Sequence, residues 1–179
     1  MNKIDSVEKK IAMMTENGFN EAEFITLQKA IMGKKNAYTK IISSHIGLVH
    51  SDSKTGNGIS YTVDRTLSET LAIDYDCLIV VGGSEHIEFL CEEPHAIRLM
   101  RAFLRESMPI LVVSEGSKLL NVIGDSRFSE PSCENEEYLN SDPVFWNING
   151  KGLAATFKIF FETVCSKNLE KSDNRGVAA

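Results

Sequence analysis

Residues 74–83 read Asp74-Tyr75-Asp76-Cys77-Leu78-Ile79-Val80-Val81-Gly82-Gly83. Cys77 to Val81 is apolar at every position, so it has no side to offer to water. A half-buried strand alternates; a short unbroken apolar run belongs to a strand covered on both faces, as in a parallel sheet between helices. Gly82-Gly83 stops the run. Further along, Ile110 to Val113 repeats the pattern and is cut short by Ser114-Glu115-Gly116-Ser117, where another helix starts near Gly116. Between the two runs Pro94 is placed to open a helix, with Ile97, Met100 and Leu104 as its buried stripe.

The chain on either side continues this rhythm. Ile11 to Met14 is a short apolar run followed by a polar turn, Thr15 to Gly18. Phe24, Leu27 and Ile31 then share one helical face, ending near Gly33. Tyr38 to Ile42 reads as a second strand. Leu48-Val49 and the alternating Ile59, Tyr61 and Val63 flank SDSKTGNG, residues 51–58, as a hairpin or small excursion. Phe128 to Asp142 is polar, contains Pro131, and reads as a loop or edge excursion. The last helix is expected from about Gly152 to Leu169, on the spacing of Leu153, Phe157, Phe160 and Val164. Residues 171–179, KSDNRGVAA, read as a disordered tail. Strands alternating with helices over residues 1–170 predict one α/β domain built on a doubly wound, mainly parallel sheet with helices on both faces.

The sequence has 179 residues, is 42% hydrophobic and carries a net charge of −6, which suits one continuous core and argues against binding a phosphate backbone. Arg98, Arg101 and Arg105 share one predicted helix, but Glu92, Glu93 and Glu106 are close by, so the cluster reads as a solvated face. The N-terminus has no apolar export signal, and no stretch approaches the ~18 apolar residues of a membrane span. Cys77, Cys91, Cys133 and Cys165 form no Cys-x-x-Cys pair and read as reduced thiols. A cytoplasmic protein, with neither membrane nor nucleic acid as partner, is the expectation.

Open parallel sheets bind ligands beyond the carboxyl ends of their strands. Three strand ends here carry notable residues: Gly18 to Phe24 (GFNEAEF), Gly82-Gly83, and Ser114 to Leu120 (SEGSKLL). Side by side, these strands would bring Glu23, a glycine turn and the Ser114 hydroxyl to one crevice. A side chain on a sharp strand-to-helix turn is pushed out of the sheet. The Gly82-Gly83 amides, unobstructed by a Cβ, suit a developing oxyanion, and a partly buried Glu23 would hold its proton more readily and bond Ser114. Sparsely allowed torsions at Ser114 are expected. The alternative role for Glu23 is complementing the helix dipole, and the alternative for the glycines is a turn requirement. Glu88, Cys91 and His95 have spacings that suggest a metal site, but Pro94 interrupts their segment, so no metal is expected. Nothing in the chain calls for a cofactor.

These motifs together resemble the ThiJ/PfpI (DJ-one) superfamily, within the class I glutamine-amidotransferase-like folds. GFNEAEF is similar to the family's opening and puts its glutamate on Glu23. Asp74-Tyr75-Asp76 through Gly82-Gly83 is similar to its D-Y-D-x-hydrophobic-x-x-G-G stretch. His95 to Val113 resembles its helix and strand before the elbow, and Gly150-Lys151-Gly152 its closing G-x-G. The resemblance covers nearly the whole chain and implies a flavodoxin-like sheet, a homodimer and a ligand pocket at the strand ends lined by Glu23, Gly82, Gly83, Ser114 and Glu115. The departures are specific. Where the family's elbow reads A-x-C-x-G-P, this chain has V-V-S-E-G-S, so Ser114 takes the cysteine position and Ser117 that of proline. Glu115 is expected to face solvent or a dimer partner. All four histidines, His45, His50, His86 and His95, precede Ser114. The elbow is also similar to that of the C-terminal domain of large-subunit catalases.

A serine hydroxyl is far less acidic than a thiol and needs a good adjacent base, and a glutamate with an intrinsic pKa of ~4.3 is a poor one. The chain is therefore expected to be a non-catalytic (pseudoenzyme) member, a stress-related small-molecule- or protein-binding domain. The alternative is a hydrolase or amidase with Ser114 as nucleophile, Glu23 as acid/base and Gly82-Gly83 as oxyanion donors. A further alternative is a holdase-like chaperone.

Overall fold

The two apolar runs become neighbouring parallel strands in the computed structural model, which describes residues 7–54, 57–125 and 138–173. In chain order the elements are β1 (Lys9–Met14), α1 (Glu21–Met32), β2 (Ala37–Ser43), β3 (Leu48–His50), β4 (Ser60–Thr62), β5 (Arg65–Thr66), β6 (Cys77–Val80) and α2 (Ser84–Glu92). They continue with α3 (Pro94–Arg105), β7 (Ile110–Val113), α4 (Ser117–Ile123), β8 (Tyr138–Ser141), β9 (Val144–Asn147) and α5 (Leu153–Asp173).

The seven-stranded sheet runs β5-β2-β1-β6-β7-β9-β8, and β3 and β4 pair separately as an antiparallel hairpin. Only β8 runs antiparallel to its neighbour in the main sheet. The parallel core order β2-β1-β6-β7-β9 is the flavodoxin-like one. Successive residues of each strand point to opposite layers. Met14, Leu78, Val80, Ile110 and Val112 join one apolar cluster with α2, α3 and α4. Ile11, Met13, Ile79, Leu111 and Phe145 join the other, with Phe24 and Leu27 of α1 and Phe157 and Phe160 of α5. Both faces are covered, and for that reason β6 and β7 carry no polar residue.

Several boundaries differ from the sequence expectation. Tyr138–Ser141 is an edge strand, and Val144–Asn147, which drew no assignment, is a fully buried strand beside β7. Residues 126–137, most of the expected loop, lie outside the described residues. α2 begins directly after Gly83, and its charged face masked it in the sequence. α5 continues to Asp173, into the expected tail. No helix among the described residues is long and apolar enough to cross a membrane.

Two buried polar groups fix the connections. Glu21 accepts hydrogen bonds from the amides of Asn57 (3.0 Å), Gly58 (2.9 Å) and Ile59 (3.2 Å) and from the Ser51 hydroxyl (2.8 Å), which clasps the β3–β4 excursion to the start of α1. These donors, the Asn57 amide foremost, hold its carboxyl below the usual range. His86, fully buried in α2, takes the Glu16 amide on Nδ1 at 2.9 Å. The proton must then sit on Nε2, which donates to the Val81 carbonyl at 3.2 Å. Burial pushes the His86 pKa down to about 3, so the ring is neutral and structural.

Candidate functional site

β1 and β6 are the strands at which the winding direction reverses, and the crevice beyond their carboxyl ends is where such sheets receive ligands. α1 enters this crevice with Asn20 as N-cap, its side-chain oxygen accepting the Glu23 amide at 3.1 Å. In a full capping box the residue at Glu23's position would reach back to the cap amide. Here the Asn20 amide bonds instead to the Gly82 carbonyl at 2.8 Å. That releases the Glu23 side chain to cross the crevice.

Glu23 uses the freedom to meet the two other strand ends. Its Oε2 accepts the Gly82 amide at 2.7 Å, and its Oε1 accepts the Ser114 hydroxyl at 2.5 Å. Ser114 has φ 46°, in the left-handed region that a residue with a Cβ rarely enters. The strain holds its hydroxyl out of the sheet toward the acid, as expected of an elbow. Glu23 is only 7% exposed. Burial raises its pKa above the ordinary value; the Ser114 and Gly82 hydrogen bonds pull it down, and the negative charge of Glu115 pushes it up again.

The structure thus brings Glu23, Gly82, Gly83, Ser114 and Glu115 into one site, with two corrections to their expected behaviour. Glu115 does not simply point outward: half-buried, it turns back so that its Oε2 accepts the Gly83 amide at 3.1 Å. Consequently neither glycine amide is a vacant oxyanion donor, since Gly82 gives to Glu23 and Gly83 to Glu115. The glycines are also sterically required. A Cβ on Gly82 would lie 2.6 Å from Glu23 Oε2 and 2.8 Å from Glu115 Oε2. On Gly83, at φ 126°, it would lie 2.4 Å from the Gly18 carbonyl oxygen.

The site opens into a cavity of about 550 Å³ lined by Asn20, Glu23, Ser114, Glu115, Ser117, Lys118, Trp146, Ile148 and Asn149. The last three lie in or just after β9 and were missed in the sequence, which singled out only Gly150-Lys151-Gly152 behind them. Asn147, fully buried, shapes that segment: its Oδ1 accepts the Gly150 amide at 2.7 Å, and its Nδ2 donates to the Lys151 carbonyl (2.8 Å) and the Thr156 hydroxyl (3.0 Å). Gly150, at φ 73°, then lies so close to Glu23 that a Cβ there would be 3.0 Å from Oε1. The signal available was Asn-Gly-Lys-Gly after an aromatic strand, a turn that needs positive φ. Glu88, Cys91 and His95 do not gather; among the described residues no group of three His, Cys, Asp or Glu side chains is placed to hold a metal.

A profile of the DJ-1/PfpI family matches residues 9–125, which takes in β1, Glu23, the glycine pair and the elbow. The chain belongs to the DJ-1/PfpI family. No curated protein matches the sequence. Among solved structures, a ThiJ/PfpI family protein from Pseudomonas syringae is similar at a TM-score of 0.74 and 15% identity, over 97% of this chain and 78% of the other. DJ-1 of Schizosaccharomyces pombe is similar at a TM-score of 0.70 and 14% identity, over 95% and 99% of the two chains. A two-domain protein of Anabaena variabilis, with dj-1/thij/pfpi-like and ferritin-like domains, is similar at a TM-score of 0.73 and 16% identity over 89% of this chain. The present DJ-1/PfpI chain spans about half of that protein, 48% of its length. These likenesses establish the shared fold, inside which the elbow carries a serine.

Proposed function

We propose that this DJ-1/PfpI chain is a non-catalytic binding protein whose strand-end crevice receives a small polar molecule. The observation that carries this reading is the engagement of both glycine amides by carboxylates. An acyl-transfer site needs unspent donors aimed at the developing oxyanion. Here that position faces the negative Glu115 and the acid Glu23. Ser114 donates to a carboxyl that is a weak base even when raised by burial, and no histidine lines the crevice to replace it. What remains suits binding: a hydroxyl, two carboxyls, the Lys118 ammonium, the Asn20 and Asn149 amides and one face of Trp146 around an open cavity.

The test pairs a broad serine-directed fluorophosphonate with a metabolite library read by thermal shift. Ser114 is expected to remain unlabelled, and stabilising compounds are expected to lose their effect on Trp146→Ala and Asn149→Ala. Labelling or ester turnover in the parent chain that Ser114→Ala abolishes would overturn the proposal. A homodimer and a cytoplasmic, stress-related setting complete the reading on the strength of family membership; sedimentation velocity of the purified chain tests the dimer.

A further inference from the structure

The three arginines of α3 lie on an exposed helix face, as the sequence led one to expect. Arg98, Arg101 and Arg105 turn toward a second concavity, about 1140 Å³, between α3 and the Leu71–Asp76 turn. It lies at the opposite end of the sheet from the Ser114 crevice, because Tyr75 and Asp76 precede β6 and Met108 precedes β7. Part of its lining is apolar: Ala72, Tyr75 and Met108 are buried beneath it, and Leu71 and Ile73 stand 53% and 86% exposed beside it. Apolar side chains that project this far into water lose free energy until something covers them.

The charges around the groove are unbalanced. Of the glutamates near α3, Glu93 is held at the helix N-cap, where it accepts the His95 amide at 3.0 Å. Glu106 pairs only with Arg105, at 3.0 Å. Arg98 donates to the carbonyls of Leu67 (2.9 Å) and Thr70 (3.0 Å), which orient its guanidinium without cancelling its charge. Arg101 makes no ion pair among the described residues. The Lys10 ammonium lies 4.7 Å over the Tyr75 ring and adds to the same side. On the other side of the balance, Asp76 accepts the Lys10 amide at 2.8 Å. Three arginines against the carboxylates of Asp76 and Glu106 therefore leave the groove with an excess of positive charge beside an uncovered apolar surface, on a chain of net charge −6.

From this juxtaposition we infer a second ligand site that takes a single-chain amphipathic carboxylate, of the fatty-acid type. Arg101 and Arg98 present planar forks that match a carboxylate head. The tail lies along Ile97, Tyr75 and Met108 and under the exposed side chain of Ile73, removing from water the surface the fold leaves open. This inference stands independently of the reading of the Ser114 crevice.

The experiment uses the full chain with decanoate, decanol and acetate, which separate head from tail. Binding is followed by calorimetry and by the Met108 methyl and Trp146 indole resonances. Decanoate is expected to shift Met108 and leave Trp146 unmoved, and to bind at least about tenfold more tightly than decanol or acetate. Arg101→Ala, on an exposed helix face, is expected to weaken decanoate about tenfold with the unfolding midpoint unchanged, and Ile73→Ser to weaken decanoate without changing acetate. Equal affinity for decanol, indifference to Arg101→Ala, or a shift of Trp146 in place of Met108 would overturn the assignment.

Discussion

Glu115 accepts the Gly83 amide at 3.1 Å, one peptide along from the Gly82 amide that Glu23 accepts at 2.7 Å. Two carboxyls thus lean on consecutive backbone donors, and the charge of Glu115 makes Glu23 harder to ionise.

Removing the Glu115 charge acts on its neighbour. In Glu115→Gln, Glu23 loses one of the two influences that raise its pKa while keeping its bonds to Ser114 and Gly82. Its titration midpoint is expected to fall toward the usual carboxylate range. Carboxyl-carbon NMR of the folded chain reads this, and a midpoint that stays put or rises would refute the coupling.

Glu23 also predicts a stability difference. Its folded pKa lies above its unfolded value of 4.5, so its contribution is greatest below that pH and is lost as the pH rises through the folded value. Glu23→Gln is neutral at every pH and should be at least as stable as the parent at pH 7. Glu23→Ala strands the Gly82 amide and the Ser114 hydroxyl and is expected to cost about 1–3 kcal/mol. Urea unfolding of both variants at neutral pH separates these outcomes.

The torsion at Ser114 makes alanine the worse replacement. Ser114→Ala and Ser114→Gly both lose the hydrogen bond to Glu23, but only glycine adopts a φ of 46° without penalty. The glycine variant is expected to be the more stable by about 1 kcal/mol in chemical denaturation. The reverse order would mean that the elbow is not strained.

His86 makes the fold acid-sensitive in a defined window. Its folded pKa, about 3, is below the unfolded value of 6.5, so stability is full above pH 6.5 and declines as the pH falls toward 3. In that window a single such group costs about 1.4 kcal/mol per pH unit. His86→Phe is expected to start less stable, because the Glu16 amide and Val81 carbonyl lose their partner, but to show a flatter profile between pH 6.5 and 5.

What the sequence made legible follows the same physics. Cys77–Val80 and Ile110–Val113 announced themselves because strands buried on both faces have no polar positions. Once those strands were adjacent, Glu23, Gly82 and Ser114 had to converge, since each sits at the carboxyl end of a neighbouring strand. Val144–Asn147 is equally buried but contains Asn147, whose polarity is satisfied by contacts the sequence cannot display. With β9 unassigned, Trp146, Asn149 and Gly150 could not be placed in the crevice. Glu115 was misread for another reason. Its direction is set by the single turn Ser114–Gly116 and by an amide belonging to a different strand end.

The Gly83–Gly18 contact has a consequence for tracing ancestry. Both residues are held small by their neighbours: a Cβ on Gly83 would strike the Gly18 carbonyl, and one on Gly18, at φ 85°, would lie 2.8 Å from Glu85 Cβ of the adjoining helix. This steric bargain is indifferent to whether any reaction takes place nearby. Selection for foldability alone would therefore preserve the glycine doublet long after a reactive group had been lost, and the doublet records descent where the atom at the elbow records chemistry.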